Sequence, residues 1–177
     1  RYENGVIIIS GPTGSGKTKT LYSLLNEINP NSYNIVTIED PIEYRIPGLN
    51  QVQVCSKLSF ADALRSVLRQ DPDVILVGEI RDSETAKLCF QAAETGHLVL
   101  STLHANGALE AMERLTGLGL ELSVIESNLR LSVAQRLEPL LCSSCKILTT
   151  ETKYSVNKSG CENCNSGICG RLPILEW

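Results

Sequence analysis

The sequence predicts an α/β fold: a parallel sheet covered by helices on both faces, followed by a small cysteine-rich unit. Three observations carry this. Short apolar, β-branched runs alternate with amphipathic helical stretches, and strands that are apolar throughout belong to sheets buried on both faces. A glycine-rich loop joins the first such run to the first helix. Beyond Pro139 large apolar residues thin out, and five of the seven cysteines crowd into residues 142–169.

The elements follow in order. Val6–Ser10 is a short apolar strand. Thr20–Ile28 carries apolar residues at 21, 24, 25 and 28, the spacing of one helix face. Asn29-Pro30-Asn31-Ser32 turns the chain. Ile35–Ile38 is a second strand, stopped by Asp40-Pro41, and a loop with a short strand at Gln51–Val54 follows. Ser59-Phe60-Ala61-Asp62 has capping-box spacing and opens a helix through Gln70. Val74–Val77 is a buried strand, Ser83–Glu94 a helix ended by Thr95-Gly96, and Leu98–Leu103 a further strand. Helical periodicity is expected over 107–116 and 123–137.

Composition limits the function. With 177 residues the chain can bury roughly 70% of its unfolded surface in one core. Apolar residues at 42% and charged residues at 20% exclude wholesale disorder. No apolar run is long enough for a transmembrane helix, and Arg1–Gly5 lacks the features of a signal peptide. The net charge of −4 and the 5% aromatic content argue against a nucleic-acid partner.

Gly11-Pro12-Thr13-Gly14-Ser15-Gly16-Lys17-Thr18 fits G-x-x-x-x-G-K-[ST] between a strand and a helix, the context a phosphate-binding loop needs. Glycines let the backbone wrap close enough for successive N–H groups to point at phosphate oxygens, and the helix adds its N-terminal dipole. Lys17 supplies a charge for the β- and γ-phosphates, and the Thr18 hydroxyl can ligate Mg²⁺. A dinucleotide loop has no need of the Lys-Thr pair.

Hydrolysis needs a group that orients or deprotonates water, and an acid near the magnesium. Glu39 follows one strand and Glu79 another, both at sheet ends beside the loop. Gly78 stands where many such proteins keep an aspartate, so Glu79 serves the metal or the water alone or shares the work with Glu39. His104 follows a third strand, where an imidazole can stand near the γ-phosphate, while His97 precedes that strand and is expected to be structural. Cys142-x₂-Cys145 and Cys161-x₂-Cys164, fifteen residues apart, have the spacing of a structural Zn²⁺ site, and Cys169 is a spare thiol that could replace one ligand.

Taken together these motifs resemble a known family, the ATPases of bacterial type II secretion systems and the related type IV pilus assembly motors. Gly11–Thr18 matches the Walker A loop. Thr37–Glu43 looks like the family's aspartate box, Leu68–Asp82 like its Walker B region, Gly96–Asn106 like its histidine box, and Ala134–Leu137 with the paired cysteines like its zinc-bearing end. The resemblance implies a RecA-like P-loop ATPase core over 1–138, a tetracysteine zinc-binding subdomain over 139–171, and the start of a truncated region at 172–177. It implies a cytoplasmic motor, peripheral to the inner membrane and not inserted in it. That motor works as a homo-hexamer on inner-membrane platform proteins, with ATP, Mg²⁺ and Zn²⁺ as ligands. Carried over, Glu39 is the general base or water positioner, Glu79 holds Mg²⁺ and water, and His104 lies near the γ-phosphate. Retraction motors usually lack the tetracysteine unit, so assembly or export is favoured. Lys19 replaces the usual small hydroxyl residue, and Gly167-Ile168-Cys169-Gly170-Arg171 departs from the family's Gly-Tyr-x-Gly-Arg. The family's N-terminal domain is absent from the chain, so we expect a fragment with weak ATPase activity by itself. A metabolite kinase would need lid arginines where the cysteines stand, and a zinc-bearing nucleic-acid motor would be stimulated by DNA.

Overall fold

The computed structural model describes residues 4–105, 107–150 and 152–177. The first three residues of the expected core, Asn106 at the end of the histidine motif, and Glu151 lie outside them. Contacts group the chain into two units, one running to Gln135 and including Leu175–Trp177, the other Arg136–Ile174.

In the first unit the strands are β1 (Gly5–Ser10), β2 (Ile35–Glu39), β3 (Asn50–Gln53), β4 (Val74–Val77), β5 (Leu98–Leu103) and β6 (Leu129–Leu141), the last running on into the second unit. The helices are α1 (Lys17–Asn26), α2 (Phe60–Val67), α3 (Ser83–Glu94), α4 (Ala108–Gly117) and α5 (Leu122–Asn128). The sheet order is β3-β2-β4-β5-β1-β6, with β9 (Ile168–Glu176) beyond β6. β1 pairs in parallel with β5 and β6, β4 with β2 and β5, and β2 with β3. The loop strand β1 is therefore separated from β4 by β5.

Side chains of successive strand residues point to opposite faces, and both faces are covered. Ile9, Ile35, Val74, Leu76 and Leu100 pack with Leu21, Tyr22 and Leu25 of α1. Val6, Ile8, Val36, Ile75, Val77 and Val99 pack on the other face with residues from α2, α3, α4 and α5, including Leu64, Phe90, Leu115 and Ile125. The uninterrupted apolar strands of the sequence are thus explained by two apolar layers. Ser59 caps α2 by accepting from the Asp62 N–H, and Asp82 caps α3 by accepting from the Thr85 N–H at 2.8 Å.

One expectation is corrected. The helix read over 123–137 ends at Asn128, and β6 begins at Leu129. Leu129, Leu131 and Val133 recur at every second position, and the stretch pairs with β1 in the register Ile9↔Val133 and Ser10↔Ala134. The open edge of β1 satisfies the backbone of this stretch, which outweighs a local helical pattern.

The second unit is of a different kind. β7 (Ile147–Thr150) and β8 (Lys153–Ser155) form an antiparallel hairpin that the sequence reading did not anticipate. Lys146 Nζ lies 4.0 Å above the Tyr154 ring. Among its described residues only Cys142 and Gly167 are buried, so apolar burial does not hold it together.

Candidate functional site

The loop after β1 has a strongly constrained backbone. Gly16, the residue before α1, has φ +85°, a left-handed value that glycine adopts without steric cost. A Cβ on Gly11 would come within 2.2 Å of the Gln135 carbonyl oxygen. The Ser15 N–H bonds back to Pro12 O at 3.2 Å, closing the turn. The first N–H groups of α1 have no carbonyl within the helix to bond, so the loop ends in a ring of donors.

Lys17 is folded into this loop. Its Nζ donates to Gly11 O at 2.8 Å and Pro12 O at 3.0 Å. Burial lowers its pKa and the nearby Glu79 carboxylate pulls it back up. The ammonium is thus partly desolvated, which strengthens its pull on an incoming anion, while the Glu79 carboxylate offsets part of that charge.

Glu79 is held from the neighbouring strand. Thr102 Oγ1 donates to Gly78 O at 2.7 Å, and Ile80 N–H donates to Thr102 O at 3.0 Å, so β5 grips the residues on both sides of it. The carboxylate pairs closely with Arg81, and His104 Nε2 lies 3.5 Å from its Oε2. Arg81 is also 3.8 Å from Asp40. Glu79 and His104, read separately from the sequence, are therefore neighbours, with Arg81 as a further member and with the Lys17 charge close enough to act on Glu79. Gly78 sits close to β2: a Cβ there would come within 3.2 Å of Ile38 O, a tight contact that a larger residue could make only if the strand gave way slightly.

Glu39 ends β2 and is 3% exposed. Its carboxylate accepts from Tyr22 OH, Thr37 Oγ1 and Gln51 Nε2. Burial and the bond to Glu39 raise the Tyr22 pKa, so Tyr22 stays a donor. A carboxylate offers about four lone-pair positions, and the three donors found among the described residues leave one for a water. Tyr22 and Gln51 carry no motif signal, because their role depends on contacts across 17 and 12 residues. His97 bonds through Nδ1 to Ala92 O at 2.8 Å at the end of α3, a structural position.

In the second unit Cys142, Cys145, Cys161 and Cys164 converge, with all four sulfurs within 4.8 Å of one another. Metal–sulfur bonds of about 2.3 Å in a tetrahedron place sulfurs about 3.8 Å apart. The separations here are 3.7 Å for Cys142–Cys161, 3.6 Å for Cys145–Cys164 and 3.7 Å for Cys161–Cys164, so the cluster suits a zinc ion. Burial pushes the Cys142 thiol up, but donors from Ser144, Cys169 and Cys161 more than offset this and bring it to about 6. The fifth thiol, Cys169, is exposed beside the four.

With this geometry the comparisons with known proteins agree. The family described as Type II/IV secretion system protein matches residues 1–177. Type II secretion system protein E of Pectobacterium carotovorum subsp. carotovorum is 54% identical over 188 residues, covering 98% of this chain and 38% of that protein. The type IV pilus assembly ATPase PilB of Acinetobacter baylyi is 46% identical over 192 residues, covering 97% of this chain and 33% of that protein. The chain thus spans well under half the length of these curated relatives. Among solved structures, the pilus retraction motor PilT with bound ADP aligns with a TM-score of 0.76 at 39% identity, over 99% of this chain and 47% of that one. The VirB11 ATPase of the Brucella suis type IV secretion system, in complex with sulphate, aligns at 0.62 and 30% identity, over 77% and 44%. The chain belongs to the Type II/IV secretion system protein family.

Proposed function

We propose that this chain is the nucleotide-hydrolysing part of a type II secretion motor, which turns ATP into ADP and phosphate to drive protein export. The observation that carries this is the Gly11–Thr18 loop with Lys17 folded onto Gly11 O and Pro12 O, within electrostatic reach of Glu79, which His104 approaches to 3.5 Å. Residues 1–138 form the motor core and 139–171 the zinc unit. The whole protein acts as a homo-hexamer on inner-membrane platform proteins from the cytoplasmic side. Among the described residues no helix is long and apolar enough to cross a membrane. Type IV pilus assembly is the second reading, supported by the likeness to PilB, and it uses the same chemistry at this site.

In this reading the loop amides and Lys17 bind the phosphates and offset the charge that builds on them. The Thr18 hydroxyl and the Glu79 carboxylate would hold Mg²⁺, which supplies further charge neutralisation. Glu39, with one lone pair left over, orients or deprotonates the attacking water. His104 stands next to Glu79 and senses or stabilises the γ-phosphate.

Single Glu39→Gln and Glu79→Gln changes in the full-length protein test these roles. Both are expected to slow hydrolysis by about 100-fold or more, the scale of a lost general base or metal partner. Glu39→Gln keeps nucleotide affinity, whereas Glu79→Gln loses its Mg²⁺-dependent part. Wild-type turnover in either variant removes that residue from the mechanism.

A further inference from the structure

The phosphate loop is anchored from behind by a residue 120 positions away in sequence. Gln135 lies on β6, next to the Ser10↔Ala134 pair, and is 2% exposed. Its Nε2 donates to Ser15 O at 2.6 Å, and its Oε1 accepts from Thr20 Oγ1 at 2.8 Å. One side-chain amide thereby bridges the loop backbone and the first turn of α1. The backbone carbonyl of the same residue is what Gly11 packs against. The Ser15 hydroxyl is buried and lacks a partner among the described residues, so it supplies no competing anchor for the loop.

The peptide plane gives this contact a consequence. In a trans peptide the C=O of one residue and the N–H of the next point in opposite directions. With Ser15 O tied to Gln135, the Gly16 N–H is turned away from β6. We infer that Gln135 is a positioning residue of the nucleotide site, which fixes the Ser15–Gly16 peptide so that its N–H faces the bound phosphates. This rests on the reading of the loop as a nucleotide site. The residue touches no phosphate itself. Its effect is preorganisation, since a loop already in its binding shape loses less freedom when the ligand arrives.

The test is a calorimetric titration of this chain with MgADP, using wild type, Gln135→Met and Thr20→Val. Gln135→Met keeps side-chain length and removes both polar contacts. Its Kd is expected to rise about 10-fold or more, the scale of a lost buried hydrogen bond. Thr20→Val leaves the Ser15 contact in place and is expected to stay within about threefold of wild type. Hydrogen exchange adds a readout that general stability would not move: loop amides 13–17 exchange faster in Gln135→Met while those of β4 do not. A folded Gln135→Met that binds MgADP like wild type overturns the inference, as does a Thr20→Val that loses as much. Should Gln135→Met fail to fold, the wild-type protein still decides the matter. Its Gln135 side-chain amide protons are expected to be protected from exchange and to shift on MgADP binding, and a freely exchanging amide overturns the assignment. Absence of MgADP binding by wild type would instead overturn the nucleotide reading beneath it.

Discussion

Lys17→Ala is expected to lower MgATP affinity by about 100-fold or more while the fold of the first unit persists. The side chain donates to Gly11 O and Pro12 O, so it now braces the loop, and burial has stripped part of its hydration. A charge-assisted contact to phosphate is worth roughly 1.5–3 kcal/mol, and a partly desolvated ammonium lies at the upper end of that range. Two such contacts correspond to a loss of at least about two orders of magnitude in affinity. The change opens no hydrophobic gap, because the two apolar clusters are built from other residues. Equilibrium binding together with circular dichroism checks both halves. Unchanged affinity would mean that the nucleotide does not lie on this loop.

Removing the metal is expected to unfold residues 136–174 and to leave the first unit folded. The second unit buries only Cys142 and Gly167 among its described residues, too little apolar surface to offset the entropy of ordering it. A structural zinc ion supplies about 10–16 kcal/mol at neutral pH, enough to account for the fold. Metal analysis should find about one zinc per chain in the untreated protein, and Cys145→Ser should lose most of it, since a serine hydroxyl is a poor substitute for a thiolate ligand. After chelation the amides of β7 and β8 should lose protection against hydrogen exchange while those of β1, β4 and β5 keep theirs. A hairpin that stays protected without metal would show that packing holds the unit instead.

Burial and the sequence distance between contacting residues decide which parts of the molecule are legible in the sequence. β1, β2, β4 and β5 read clearly because each is apolar on both faces, and two packed layers demand that. α2 reads clearly because Ser59 caps it in the expected way, and α3 because its helical stretch ends at Thr95-Gly96; its Asp82 cap shows only in the structure. β6 was misread because its partner, β1, lies more than a hundred residues upstream, and local periodicity carries no record of that pairing. The β7–β8 hairpin was missed for the opposite reason: its residues are largely exposed, so no burial pattern marks it. The four clustered cysteines were legible because metal spacing is a local signal. The companions of the site were not. Tyr22 and Gln51 on Glu39, Arg81 on Glu79, and Gln135 on the loop are defined by geometry; Arg81 and Gln135 lie inside motif stretches, but their partners are set by contacts the motifs do not spell out.

The central claim is that the Gly11–Thr18 loop holds a magnesium nucleotide with Lys17 on its phosphates and Glu79 on its metal side. A crystal structure of this chain with Mg²⁺ and a non-hydrolysable ATP analogue tests it most directly. The account predicts that Lys17 Nζ leaves Gly11 O and Pro12 O for the β- and γ-phosphate oxygens, that Thr18 ligates the magnesium, and that Glu79 lies beside that ion. A nucleotide bound elsewhere, or a Lys17 still bonded to its own loop beside an occupied site, would contradict it.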